Sequence, residues 1–537
     1  MDLFSSLDIV VFIGYLCIMI GLGIYLSRRG GKQSTKDYFL ASKALPWWAV
    51  GGSLIASNIS AEQFIGMSGS GYVVGLAIAS YELMAAATLI LVAKFFLPVF
   101  LEKGIYTMPQ FLEERFDKRV RTGLAIFWVL LFVFVNITSV LYLGGLAIQS
   151  IVGIDLIWGV LGLALYAATF SIFGGLKAVV WTDVVQVVVL IFGGLLASIL
   201  VLEALGGGFF SGLEALIDRA PEKFDMILDK SNPEYINLPG ISVLIGGMWI
   251  ANIYYWGTNQ YIIQRALAAK SLKEAQLGTV FAAFLKVLLP LIVVIPGIAA
   301  FVLGADIAKP DEAYPWVLNN YVTVGFKGLA FAALIAAIGS SLSSMVNSAS
   351  TIFTLDIYKS FVMKSDKSVH VASAEETGSD ALTDQEDRTL VRVGKVAAAL
   401  SLATGILVAP LLGNLDQAFQ YIQEYTGFIS PGIVAIFIFG MFWKRTSADA
   451  AFWVVVLSIP LSAGIKFMAP EFPFLDRMGL SFVILSVLLI VISLMGNRGT
   501  DPRALSLRPG LFKTSTTFNL MSVVIVGLLA VIYALFW

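Results

Sequence analysis

The chain has 537 residues, 58% of them hydrophobic and only 13% charged, and apolar runs of about 20 residues, enough to cross a bilayer, recur from end to end. One cysteine (Cys17) and one histidine (His370) argue against a disulfide framework, a zinc site or histidine-based catalysis. A net charge of -1 argues against a nucleic-acid partner, and no His/Asp/Ser set, metal-ligand cluster or phosphate loop suggests an enzyme.

The first apolar run has no Lys or Arg before it, so it lacks the basic head of a signal peptide and reads as a retained span. Hydropathy gives about fourteen spans, near 8–27, 47–70, 74–100, 120–150, 156–173, 178–204, 241–264, 272–304, 327–359, 390–411, 415–443, 447–469, 478–496 and 518–537. Basic residues follow every odd-numbered span: Arg28 and Lys36 the first, Arg115 and Lys118 the third, Lys177 the fifth, Arg265, Lys270 and Lys273 the seventh. Lys359, Lys444 and Arg503 continue the series, and the loops between are short or acidic. Such alternation obeys the positive-inside rule and puts both termini outside. The stretch 361–390, rich in Ser, Asp and Glu, reads as a solvated cytoplasmic linker. In the outer loop 205–238, FFSGLEALID has the pattern of a short amphipathic helix.

The second span contains SLIASNISAEQFIGM (53–67), where Asn58, Ser60, Glu62 and Gln63 crowd together inside an apolar run. Unpaired polar groups in hydrocarbon cost several kcal/mol each, so a lipid-facing helix does not carry such a cluster. A helix broken near Ala56–Ile59, with freed carbonyls aimed into a protein-lined cavity, accounts for it. A polar face packed against neighbouring helices is the alternative. The seventh span carries a similar interruption, NIYYWGTNQ, from Asn252 to Gln260. Spans two to six (47–204) and seven to eleven (241–443) form two sets of five, and because five is odd the second set enters the membrane from the opposite side. Paired breaks at matching positions of two inverted halves point to a transporter site between them. On this reading the whole chain, 1–537, is one transporter domain, with an extra span before the core and three after it (447–537).

Four further polar groups lie within apolar spans: Glu82, Asp183, Lys286 and Gln423. An ionisable residue inside a span is a candidate functional group. Lys286 falls near mid-span, too far from either end for its side chain to snorkel out, so it needs a buried carboxylate, and Glu82 is the candidate. Asp183 lies towards the inner end of its span, where a solvated end charge is the alternative. In the ninth span Ser340, Ser343 and Ser344 share one helical face with Ser341 beside them. Close helix packing and coordination of a hard cation such as Na+ both suit that pattern.

The segments ASNISAEQFIGMSGSGY, ASYE, FGGLKAVVWTDVVQ, NIYYWGTNQYIIQR, AAFLK, SSLSSMVNSASTIFTLDIY and FQYIQEYTG, in this order, resemble the solute:sodium symporter family and in particular its bacterial sodium/galactose branch. The resemblance covers nearly the whole chain. It implies an all-α polytopic membrane protein with a five-plus-five inverted-repeat core, the first helix of each repeat broken, and sodium-driven uptake of a sugar across a bacterial inner membrane by alternating access. Carried over residue by residue, it implies sugar bonding by Asn58, Gln63, Glu82, Asn252, Lys286 and Gln423. Tyr255 would stack beneath the ring as an inner gate, and Met67, Tyr81 and Phe419 would form an outer lid. The co-transported Na+ would be held by carbonyls of Ala56, Ile59 and Ala337 and hydroxyls of Ser340 and Ser341. Family members that resemble two-sodium transporters imply a second site at Asp183, Ser340, Ser343 and Ser344. Ala85 and Phe132 stand where the galactose branch has a serine and a tyrosine, so the preferred epimer does not follow. The partners expected are a neutral hexose, sodium and the lipid bilayer, with a homodimer left open. Sialate, inositol or proline as substrate, and a sugar sensor without transport, are the competing readings.

Overall fold

The computed structural model describes residues 5–28, 35–40, 43–363, 383–414, 418–496 and 499–537. Apart from one isolated bridge between Leu45 and Ala269, the regular structure in these residues is helical. Ten of the described helices are long and apolar enough to cross a membrane, and two shorter apolar helices, Leu156–Thr169 and Ser430–Phe442, accompany them. Two more segments, 47–74 and 247–267, are interrupted helices whose pieces are individually short. The expected spans and these elements coincide closely along the chain.

Burial separates core from margin. The most apolar window of Phe326–Phe361 is 94% buried against other helices, whereas those of Ser6–Leu26 and Thr516–Leu535 are only 17% and 11% buried. Helix Leu272–Val302 packs against Trp47–Asn58, Ser68–Val74 and Ser80–Leu91, and Gly175–Gly206 packs against Phe326–Ile352. Glycine sets one of these approaches: a Cβ on Gly297 would lie 2.0 Å from the Ser68 carbonyl oxygen. Several helices start where their sequences dictate. Asp117 accepts from the amides of Arg119 and Val120, and Thr383 and Glu386 form a reciprocal capping box.

Four expectations are corrected here. The fifth and sixth spans meet in a sharp kink at Gly175 (φ 61°), not across a loop. The eleventh span, expected as one run from 415 to 443, divides into Ala418–Thr426 and Ser430–Phe442. Of the linker 361–390, residues 364–382 lie outside the described residues, and helix Asp384–Val408 begins before the expected linker ends. Arg265, grouped with the loop charges, is fully buried. The amphipathic segment forms helix Phe209–Arg219, with Leu216 buried and Phe210 82% exposed.

Candidate functional site

The first interrupted helix breaks where its polar cluster begins. Ile59 is extended (φ -72°, ψ 111°), and the chain restarts through a local S-x-x-Q cap. Gln63 Oε1 accepts from the Ser60 amide and hydroxyl, both at 2.9 Å, while Ser60 Oγ accepts from the Glu62 amide at 3.0 Å. The second interrupted helix breaks at Asn259 in a matching extended conformation (φ -79°, ψ 123°). Wide π-helical turns adjoin both breaks, at Glu62–Met67 and Tyr254–Thr258, and a third lies opposite at Phe132–Ile137. Such turns crowd around functional sites because they re-aim side chains without ending the helix.

All seven residues expected to touch a sugar line one cavity: Asn58, Gln63, Glu82, Asn252, Tyr255, Lys286 and Gln423. At its centre the Lys286 ammonium pairs with Glu82 and donates to Asn58 Oδ1, and it lies 5.0 Å from the centre of the Trp256 ring. Both members of the pair are buried, which satisfies the need for a mid-span partner. Asn58 Nδ2 donates to the Tyr255 hydroxyl at 2.9 Å, and Tyr261 donates to that same hydroxyl at 2.5 Å. Across the cavity Tyr81 and Phe419 meet edge to face, their ring centres 5.3 Å apart. The space left is about 60 Å³, well under the roughly 300 Å³ at which ligand sites begin. Ala85 lines it, whereas Phe132 packs behind against Tyr261, and Met67 is buried away from the lining.

Beside this cavity Ser341 Oγ donates to the carbonyls of Ser57 and Ile59, both at 3.0 Å, so a hydroxyl of the ninth expected span meets carbonyls freed by the break. Ala56, Ala337 and Ser340 are buried around it.

Asp183 is fully buried rather than a hydrated end charge. Its Oδ1 accepts from Ser340 at 2.5 Å and its Oδ2 from Ser53 at 2.5 Å and Ser57 at 3.3 Å. The cation it requires is Arg265, whose guanidinium lies 3.7 Å away and also bonds the Ser344 hydroxyl and the Tyr261 carbonyl. Ser343 turns to the Ser340 carbonyl at 3.0 Å. The four residues expected at a second sodium site, Asp183, Ser340, Ser343 and Ser344, thus lie together, with Arg265 facing the carboxylate and the serine hydroxyls turned to Asp183, to Arg265 and to the helix backbone.

Sequence reasoning passed over Asn136, Asn259, Trp256 and Thr426 as cavity residues, and it gave Glu62 no role. Asn136 carried a signal, a lone amide in the apolar run FVFVNI. Arg265 carried a misleading one, because a cation just after an apolar run looks like a loop charge.

The model of the sodium:solute symporter family matches residues 38–377 of the chain. The chain is 52% identical over 555 residues, 99% of its own length and 98% of the relative's, to the sodium/glucose cotransporter of Vibrio parahaemolyticus. It is 33% identical over 486 residues to the sodium/myo-inositol cotransporter 2 of Mus musculus, covering 84% of this chain and 69% of that one. Among solved structures a Na+-coupled sialic acid symporter, 24% identical, superposes with a TM-score of 0.76 over 91% of this chain and 98% of its own.

Proposed function

The chain belongs to the sodium:solute symporter family, and from that premise we propose that its cavity carries a neutral hexose of the galactose or glucose kind into the cell together with sodium. The observation that carries this reading is the lining itself. A buried Lys–Glu pair that cancels in charge stands among the amides of Asn58, Gln63, Asn252 and Gln423, with Tyr255 at the rim. A ring of hydroxyls both donates and accepts, and such a surround matches it while leaving analogues that lack a hydroxyl with unpaired site groups. The 52% identity to a sodium/glucose cotransporter supports the same substrate class. A cyclic polyol is the second reading, favoured by the 33% identity to a myo-inositol cotransporter.

In this account sodium sits at the break, held by the carbonyls of Ala56, Ile59 and Ala337 and the hydroxyls of Ser340 and Ser341. Na+ is a hard ion that takes oxygen ligands, and buried loose carbonyls supply them. The ion steadies the break, the break positions Asn58 and Gln63, and Asn58 reaches both Lys286 and the Tyr255 gate. The pair Tyr81 and Phe419 closes the outer end, and alternate opening of the two ends moves the sugar. Because Arg265 already faces Asp183, we assign one sodium per sugar.

In this reading both termini lie outside a bacterial inner membrane, which the alternation of basic loops supports. Repeats 47–204 and 241–443 build the core, 8–27 and 447–537 flank it, and the marginal helices present their apolar surface to lipid, with a homodimer through that surface as the alternative. Tracer uptake into proteoliposomes with and without an inward sodium gradient, using labelled hexoses, inositol, sialate and proline, tests the substrate. Hexoses should enter against their gradient and the last two should not. Accumulation of sialate or proline in preference to hexoses would overturn the reading.

A further inference from the structure

The cavity holds a carboxyl group that the Lys286–Glu82 pair does not neutralise. Glu62 also lines it, only 9% exposed, and among the described residues no cation pairs with its carboxylate. Lys286 is the one Lys or Arg among the described lining residues, and Glu82 and Asn58 already occupy it. Two carboxyl groups share one ammonium in the lining, and Glu62 is the one left without a counter-charge.

Glu62 is built into place. It opens the π-helical turn Glu62–Met67, and the hydroxyl of Ser60 fixes its backbone. Ser139 donates to Glu62 Oε1 at 2.8 Å, and the same hydroxyl lies 3.0 Å from the Asn136 carbonyl oxygen. Among the described residues that leaves Oε2 without a donor. Two further acceptors of the lining, Asn136 Oδ1 and Asn259 Oδ1, are buried and unpaired among the described residues. The lining thus offers unpaired acceptors, one of them a carboxyl group, to whatever enters. A buried carboxylate left without a cation is costly, so a ligand that brings one is favoured and a ligand that brings a second negative charge is rejected.

Resting on the sugar reading above, we infer that Glu62 sets the charge preference of the site: it admits hexoses carrying a free, protonated amine, prefers them to their N-acetylated forms, and excludes hexuronates. An ammonium supplies three donors to a wall of acceptors, acetylation removes that charge, and a uronate carboxylate meets Glu62 with like charge.

The test is competition against labelled neutral hexose in proteoliposomes, at saturating sodium and a pH that keeps the amine protonated. The competitors are a 2-amino-2-deoxyhexose, its N-acetyl form and a hexuronate, and each inhibition constant is divided by that of the parent hexose in the same protein. In the wild type the amine should bind about tenfold tighter than the N-acetyl form, the scale of one charge-assisted hydrogen bond, and the uronate should not compete. Glu62→Gln should erase the amine's advantage and let the uronate compete. If hexose is transported but these ratios are the same in both proteins, the inference fails and the sugar reading stands. It fails likewise if Glu62→Gln moves only the sodium concentration for half-maximal uptake, because the carboxylate then serves the ion. If the wild type binds no hexose, both readings fall together. Should Glu62→Gln not insert, Ser139→Ala, which frees Oε1, takes its place: a changed amine-to-acetyl ratio supports the inference and an unchanged one overturns it.

Discussion

Lys286 holds the cavity together by touching Glu82, Asn58 and the Trp256 face at once, so its removal acts on the site and on the fold. Lys286→Ala should abolish sugar accumulation and lower thermal stability, since breaking a buried pair from one side costs about 3–5 kcal/mol. The double variant Lys286→Met with Glu82→Leu separates the two effects: it should recover most of the stability, because an apolar pair of similar volume replaces the ions, and recover no uptake. Uptake by the double variant would make the pair a packing device. Ser341→Ala removes the hydroxyl that meets the Ile59 carbonyl and should raise the sodium concentration for half-maximal uptake roughly three- to tenfold, read from sodium titrations of initial rate. At this scale the sequence was legible wherever a polar residue sat alone in an apolar run, as Lys286 and Glu82 do. It misled at Arg265, whose partner Asp183 stands 82 residues earlier in the chain, and it passed over Glu62, which lines the cavity together with Asn58 and Gln63 of the same polar cluster.

The elements that matter most are those that are not regular. Both breaks show in the sequence as polar interruptions, and the first restarts through a readable cap, Ser60 to Gln63. The π-helical turns at 62–67, 132–137 and 254–258 left no such signature, because hydropathy over a span does not register one extra residue in a turn. For the same reason the division of 415–443 at Gly427 was missed: both flanks are apolar enough to read as one run. The kink at Gly175 is the most exposed to test. Its φ of 61° suits glycine, and a Cβ there would lie 2.6 Å from the Tyr38 carbonyl oxygen. Gly175→Ala should therefore lower the melting temperature in detergent, by about 1–3 kcal/mol of stability. Gly162→Ala in the preceding helix, where a Cβ meets nothing within 4 Å, should be neutral or stabilising. Equal melting shifts for the two would contradict the kink's geometry.

For the whole molecule, the account is one of coupling through a broken helix that touches the ion site, the sugar site and the gate. Sodium and sugar should each raise the other's affinity by the same factor, because linkage between binding equilibria is reciprocal. With Arg265 neutralising Asp183, the charge moved per sugar in proteoliposome current measurements should be one, and a ratio of two would restore a second ion to the Asp183 region. The architecture as a whole was the most legible level, since hydropathy, alternating basic loops and paired interruptions act over tens of residues and tolerate local error. The central claim, that a sodium gradient drives a hexose through the Lys286 cavity, meets its most direct test in purified protein reconstituted into vesicles with an imposed inward sodium gradient. Labelled hexose should accumulate inside above its external concentration, and should fall back to equilibrium when sodium is replaced by potassium or when Lys286 is replaced by alanine. Accumulation that persists without sodium, or in the Lys286→Ala protein, would contradict the account.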